Sequence, residues 1–328
     1  MNIQRITTVL VILFIIAGVL IVVLDWGEVK TVIARANWPV LASAILFTTL
    51  SYTCLSCELA LSFRTFGIPL GFGYLMQVGF VSNVVTYLLN VGGVTGLSLQ
   101  FLLVKKRNLA TQDIFAASLF QLFFSSMLLI VLLPIGLSNV VGNPHISSAT
   151  SLALAVVAGV LAFLLVAAGV IVFVGVARRA VLQFVTRLVR LVIRKDVGRQ
   201  LTDFDAAMSR GLSLMRKRPA VFAAMLGLTI GDWTSTMTAL WFCFLALGIM
   251  VAPGTLITGF SLGVTAGFLS FVPGGLGVQE GSMAGIYALL GIPLTTAVLA
   301  AILFRIVYYF LPFLVSLTLY RRLLKTPM

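Results

Sequence analysis

The sequence predicts an all-α, polytopic membrane protein with about six full spans plus two re-entrant broken-helix hairpins, arranged as inverted repeats. Three observations carry this. Of 328 residues, 60% are hydrophobic and only 9% charged, against roughly 45–50% and about 25% in soluble domains. Several apolar runs reach the ~20 residues that a helix needs to cross a hydrocarbon core of about 30 Å. Two further apolar stretches are long, uncharged in their first part, and broken by clustered glycines. The composition leaves too little polar surface for a soluble enzyme. The net charge of +13 would suggest nucleic acid in a soluble protein; here it has a simpler source in Lys and Arg retained on the cytoplasmic side, and no nucleic-acid partner is expected.

The first run, Ile6 to Leu24, just suffices to span. No small-x-small cleavage pattern precedes Asp25, so it reads as an uncleaved anchor. The other full-length runs are 38–63, 112–134, 150–176, 219–248 and 294–320. Helix-breaking signals mark their ends: Pro134-Ile-Gly136, Asn143-Pro144, Pro253-Gly254 and Gly291-Ile-Pro293.

The first interrupted stretch, Thr65 to Val104, is broken at Asn90-Val-Gly92-Gly93. Only Val94–Val104 follows, roughly 16 Å of helix at about 1.5 Å per residue, too short to cross. The second, Thr255–Leu290, is broken at Pro273-Gly274-Gly275-Leu-Gly277. Such breaks leave backbone groups unsatisfied, which is tolerated at membrane depth only inside protein or beside a wet cavity. Each stretch therefore reads as a hairpin that returns to the face it entered from. With the N-terminus inside, 19 of the 22 basic residues fall on the cytoplasmic side, leaving Lys30 and Arg35 outside and Arg305 in the membrane. Both termini are expected to be cytoplasmic.

The two broken regions match each other. Gly92-Gly93 aligns with Gly274-Gly275, and Leu119-Phe120-Gln121 with Leu303-Phe304-Arg305. Four segments follow: 1–37, an anchor span and outer loop; 38–134, the first repeat; 135–218, a connecting span and basic amphipathic segment; 219–328, the second repeat and basic C-terminus. Inverted repeats with discontinuous helices are a recurrent plan of secondary transporters, with the site where the broken helices meet.

Ionisable groups at mid-depth cost at least ~2.5–3.5 kcal/mol on insertion scales, so each needs a reason. Arg305 and Asp232 fall near the middle of their runs, and Glu280 follows the second break closely. Arg305, with free N–H groups near Gly275–Gly277, could receive an anionic headgroup; alternatively Glu280 and Arg305 only neutralise each other. Asp232 could couple protons or simply pack. Ser98 and Gln121 stand where the second repeat has Glu280 and Arg305, and Asn83, Asn90, Gly92 and Gly93 complete the first half of the site. Glu58, six residues before Arg64, is expected nearer the cytoplasmic interface. Cys54-Leu-Ser-Cys57 reads as packing, and the lone His145 removes zinc clusters and Ser-His triads, so no catalytic residue, metal or cofactor is expected. In 177–218, Leu182, Val185, Val189 and Val192 form one stripe. Thr202-Asp-Phe-Asp205 signals a second helix with Phe204, Ala207, Met208, Leu212 and Met215 on its apolar face. Two helices lying on the inner leaflet are predicted.

The segment FLSFVPGGLGVQEGSMAGIYALLGIP, then ILFRIVYYFLP and YRRLLK, resembles the lysylphosphatidylglycerol synthase/flippase transmembrane-domain family, with a weaker match in FVSNVVTYLLNVGG. The resemblance runs from about residue 40 to 322. It implies translocation of lipid, with Pro273, Gly274, Gly275, Gly277, Glu280 and Arg305 as the matching motif positions. Bifunctional members carry a further aminoacyl-transferase domain; this chain stops eight residues past Tyr320 and is expected not to synthesise the lipid. The function expected is a flippase-like transporter of an anionic lipid or lipid-linked amphiphile. The alternatives are a non-transporting accessory subunit of a lipid or glycan synthase, or an ion-coupled small-anion transporter. Partners would be membrane lipids, with a homo-oligomer or synthase possible.

Overall fold

The computed structural model describes residues 34, 37–89, 94–105, 110–140, 147–193, 198–270 and 272–325. The first run Ile6–Leu24, the Asn90-Val-Gly92-Gly93 break, and Asn143-Pro144 with His145 lie outside them. Regular structure among the described residues is entirely helical. Helix α1 is Trp38–Thr65, α2 Phe72–Leu89, α3 Val94–Lys105, α4 Thr111–Met127 and α5 Leu129–Val140. Then come α6 Ser148–Phe173, α7 Gly175–Ile193, α8 Gly198–Lys217, α9 Pro219–Ala246, α10 Pro253–Leu269 and α11 Val278–Leu289. Last are α12 Leu294–Arg305, a π-turn at Ile306–Phe310, and α13 Leu311–Lys325.

Local chemistry sets the ends. Asn37 caps α1 by accepting from the Val40 N–H at 3.3 Å. α9 closes on Gly248 at φ 80°, with Ile249 N–H reaching back to the Phe244 carbonyl. α11 ends at Gly291-Ile-Pro293 as its sequence indicates. Pro134 does not end the span begun at 112: it sits inside α5, which runs on to Val140. Gly136 explains the continuation, because α5 there lies against α10, and a Cβ on Gly136 would meet Ser261 Oγ at 2.7 Å and Thr258 Cα at 3.1 Å. The run 294–320 also holds a surprise, the π-turn directly after Arg305.

Four described segments are long and apolar enough to cross a membrane: Trp38–Thr65, Thr111–Val140, Ala155–Phe173 and Leu294–Leu323. The 28-residue α9 has the length, but Asp232-Trp-Thr-Ser-Thr236 makes its centre polar. Its place in the molecule accounts for that polarity. α1 and α9 pack along their lengths as an antiparallel pair, with Asn37 N–H donating to the Ala246 carbonyl at one end and Ser51 meeting Asp232 midway.

Both broken stretches fold into antiparallel legs. In the second, glycines of α10 let α11 approach: Gly259 faces the Tyr287 ring, Gly263 faces Met283 and Gly267 faces Gln279. In the first, Tyr74 Oη of α2 donates to the Leu103 carbonyl of α3, and Gln100 Nε2 to Ser82 Oγ. The packing between halves is reciprocal. α2 lies against α13, and α10 against α5.

The basic segment departs from the surface-helix expectation. α8 begins at Gly198, not at Thr202, whose hydroxyl donates back to the Gly198 carbonyl at 2.9 Å. Its face of Phe204, Ala207, Met208, Leu212 and Met215 is buried in the protein core beside α1 and α4 rather than laid on a leaflet. An apolar stripe specifies burial but not what covers it. α7 departs from the expectation too: Leu182 of the expected stripe packs against the core cluster, and the apolar residues left exposed, Val176, Phe184 and Leu191, lie off that stripe. Arg178 joins the two helices: Nε meets Asp205 at 2.6 Å, Nη1 the Val172 carbonyl at 2.7 Å and Nη2 Ser209 Oγ at 2.6 Å. Arg178→Lys keeps the charge but cannot reproduce the fork. It should destabilise the protein by about 2 kcal/mol, the loss of one or two charge-assisted bonds, read from thermal unfolding in detergent.

Candidate functional site

The polar centres of both halves converge on one cavity of about 410 Å³. Its wall takes Asn83 and Tyr87 from α2, Gln100 from α3, Gln121 and Ser125 from α4, and Asp232 from α9. The second half adds Thr265, Gly274, Gly275, Gln279, Tyr308 and Tyr309. Three buried wall atoms, Asn83 Nδ2, Gln100 Oε1 and Thr265 Oγ1, have no hydrogen-bond partner. Unmet buried polar groups cost about 1–3 kcal/mol each, so a wall with three of them favours a polar occupant.

The second break forms one edge. Pro273–Gly275 is a 3₁₀ turn, and Gly274, Gly275 and Gly277 have φ of 63°, 59° and 80°. Glycine adopts this left-handed backbone without steric cost. The turn also presses on the end of α2, where a Cβ on Gly274 would run into the Leu88 carbonyl. The second hairpin's tip therefore meets the last residues before the first hairpin's break.

Arg305 and Glu280 clasp this tip from behind the wall. Arg305 Nη2 donates to the Gly274 carbonyl at 2.7 Å, and Nε lies 3.1 Å from Glu280 Oε1. Glu280 Oε2 accepts the Gly277 N–H at 2.6 Å. The guanidinium carbon lies 4.2 Å from the Tyr309 ring centre. The π-turn after Arg305 carries Tyr308 and Tyr309 to the cavity, and Gln279 Nε2 donates to Tyr309 Oη at 2.8 Å. Two of the N–H groups thought free for a ligand are occupied, Gly277's by Glu280 and Gly275's by the Val272 carbonyl. Arg305 Nη1 has no partner.

Asp232 lines the opposite side. It accepts from Ser51 Oγ at 2.5 Å, and Tyr308 Oη bonds both Ser51 at 2.8 Å and Thr236 at 2.9 Å. Thus Asp232, Asn83, Gly274 and Gly275 line one cavity, while Glu280 and Arg305 stand behind it and hold the Gly274–Gly277 tip in place. Asn90, Gly92 and Gly93 lie outside the described residues.

The family model for the lysylphosphatidylglycerol synthase TM region matches residues 8–316, which includes every element around this cavity. The chain belongs to the lysylphosphatidylglycerol synthase transmembrane-region family. It is 32% identical over 97 residues to a UPF0104 membrane protein of Methanothermobacter thermautotrophicus, 30% of this chain and 28% of that protein. It is 30% identical over 88 residues to a phosphatidylglycerol lysyltransferase of Staphylococcus aureus, and 32% over 88 residues to that of Staphylococcus haemolyticus. Each of those matches covers 27% of this chain and 10% of the lysyltransferase. The aligned stretches thus span well under a third of any of these relatives.

In this member of the lysylphosphatidylglycerol synthase transmembrane-region family, sequence reasoning did not foresee the burial of Glu58. It is fully enclosed by protein, not at a solvated edge. Ser125 Oγ donates to its Oε1 at 3.2 Å, and Oε2 has no partner. Counting from Arg64 speaks to depth along the helix and not to what covers it, and α4 and α9 close over that face of α1. The heptad spacing from Ser51 to Glu58, which places both on one helical face, was the available signal.

Proposed function

We propose that the chain carries an anionic amphiphile, a lipid with a phosphate headgroup or a lipid-linked relative, between the leaflets of a prokaryotic cytoplasmic membrane. The observation that carries this reading is the cavity between the two halves, walled by both broken hairpins and by polar atoms without partners. Arg305 supplies the cation at the hairpin tip, where its free Nη1 could bind phosphate oxygen. The lipid-related family and the partial match to phosphatidylglycerol lysyltransferases support a phospholipid.

Inverted repeats would supply the movement. The antiparallel pairing of α1 with α9, the first helices of the two repeats, is what inversion requires, and the reciprocal α2–α13 and α10–α5 packing agrees with it. α10 and α11, of 17 and 12 residues, reach roughly 25 Å and 18 Å, short of a ~30 Å core, so a hairpin entering and leaving on one face fits them. Rocking of one repeat against the other would open the cavity to each leaflet alternately.

Purified protein in liposomes should accelerate exchange of fluorescent phosphatidylglycerol between leaflets. Thr265→Val, nearly isosteric but lacking the hydroxyl, should slow it about fivefold, equivalent to about 1 kcal/mol. Equal rates in protein-containing and empty liposomes, across a panel of anionic lipids, would sink the reading.

A further inference from the structure

We propose that Glu58 is a proton-carrying site that couples lipid movement to a pH gradient, and this rests on the transport reading above. The evidence is geometric. Glu58 lies in the packed interface of α1, α4 and α9 with no exposure. Two hydroxyls face it: Ser125 of α4 donates to Oε1 at 3.2 Å, and Thr229 of α9, whose hydrogen is also directed to the Met225 carbonyl, lies beside the carboxyl, while Oε2 makes no hydrogen bond. A carboxylate in hydrocarbon-like surroundings needs a neutralising cation. No Lys or Arg pairs with it among the described residues: Arg178, Arg210 and Arg305 are taken by Asp205, Asp113 and Glu280.

The surrounding ionisable groups supply no fixed cation either. Asp232 faces it from α9 and Cys54 from α1 itself. α2 brings Tyr74 and Tyr87, and α4 brings Asp113, already paired with Arg210. α8 meets α1 at Phe66 and Gly211, two helical turns beyond Glu58. The π-turn against α1 brings Tyr308 and Tyr309. The two repeats differ here in a telling way. Arg305 aligns with Gln121, so the position that holds a permanent cation in the second half is an amide in the first, and it reaches Glu58 only through the Ser125 hydroxyl. The mobile cation that fits so tight a place, with only the Ser125 and Thr229 hydroxyls beside the carboxyl, is a proton rather than a metal ion needing six or so oxygens.

Ser125 connects this site to the cavity. Its hydroxyl lines the wall, accepts from Gln121 Nε2 at 3.1 Å, and lies within donating distance of both Glu58 Oε1 at 3.2 Å and the Gln121 carbonyl at 3.0 Å. One hydroxyl hydrogen serves one acceptor at a time. A headgroup that engages Gln121 or Ser125 shifts that hydrogen and changes how well the ionised carboxylate is held. In the cycle, water on one side gives a proton to the Glu58 carboxylate, forming the neutral acid. Water on the other side takes it back when the cavity has turned.

The test uses the full chain in liposomes with fluorescent phosphatidylglycerol and a trapped pH indicator, plus an infrared difference spectrum of wild type against Glu58→Gln. Wild type should show a protonated-carboxyl band that Glu58→Gln lacks. An imposed gradient should drive lipid asymmetry of up to about tenfold per pH unit for one proton per lipid, with matching indicator movement. Glu58→Gln should exchange lipid without responding to the gradient, and Glu58→Asp should keep the response. An ionised-carboxylate band for Glu58, or a gradient response in Glu58→Gln equal to wild type, overturns the proposal. Failure of wild type to move any lipid fells the transport reading and the coupling with it, while the infrared band still decides whether Glu58 holds a proton.

Discussion

Gly274→Ala should cost the protein about 2–4 kcal/mol and most of its activity, the largest effect expected from any single added methyl group. Two penalties coincide at this position. The backbone sits at φ 63°, a left-handed conformation that costs an L-residue roughly 1–2 kcal/mol. The new Cβ would also meet the Leu88 carbonyl, and backbone oxygen at the end of α2 cannot swing aside as a side chain could. Relief requires the tip of the second hairpin to withdraw from α2, which pulls the Gly274 carbonyl away from Arg305. The matched control is Gly285→Ala in α11, where nothing lies within 4 Å of the added atom. That substitution replaces a helical glycine and should be neutral or stabilising by up to about 1 kcal/mol. Thermal unfolding of both variants in detergent checks the pair. Equal midpoints would mean that the tip is not held against α2.

This contrast also shows what the sequence could reveal. Clustered Gly and Pro punctuate a chain through backbone rules that act within a few residues, so the second break and the ends of α9 and α11 were legible. The same locality located Arg305, Glu280 and Asp232 as charges that a membrane span must justify. What needed tertiary structure was whatever depends on a second surface. The distance of Glu58 from Arg64 along one helix carries no word of what covers it, and the closure of α4 and α9 over it shows only in the folded chain. The apolar face of α8 was read as lying on lipid because periodicity gives the stripe's width and not its partner. Pro134 was read as a stop because a helix interior normally rejects it. In the structure α5 continues, and the gain from docking Gly136 on α10 is visible only with both helices in place.

Arg305→Met should be the most damaging change at the site, and the way it is rescued separates two roles for the residue. Removing the guanidinium leaves Glu280 enclosed with backbone N–H donors alone, and takes the donor from the Gly274 carbonyl. Breaking one side of a buried pair costs about 3–5 kcal/mol, because the surviving charge is stranded. The double change Arg305→Met with Glu280→Gln removes both charges, and the amide oxygen can still accept from Gly277. Its stability should therefore recover most of the loss, with a coupling of about 1–3 kcal/mol between the two sites. Lipid movement should not recover with it. A residue that merely neutralises Glu280 becomes dispensable once Glu280 is neutral, so the doubly changed protein would then transport normally. A residue that also receives an anionic headgroup stays missing, and the stable double variant should remain at least about tenfold slow, equivalent to roughly 1.4 kcal/mol or more of lost headgroup binding. Measuring unfolding and phosphatidylglycerol exchange on the same four proteins decides between these, since the structural role predicts that both quantities return together and the binding role predicts that only stability does.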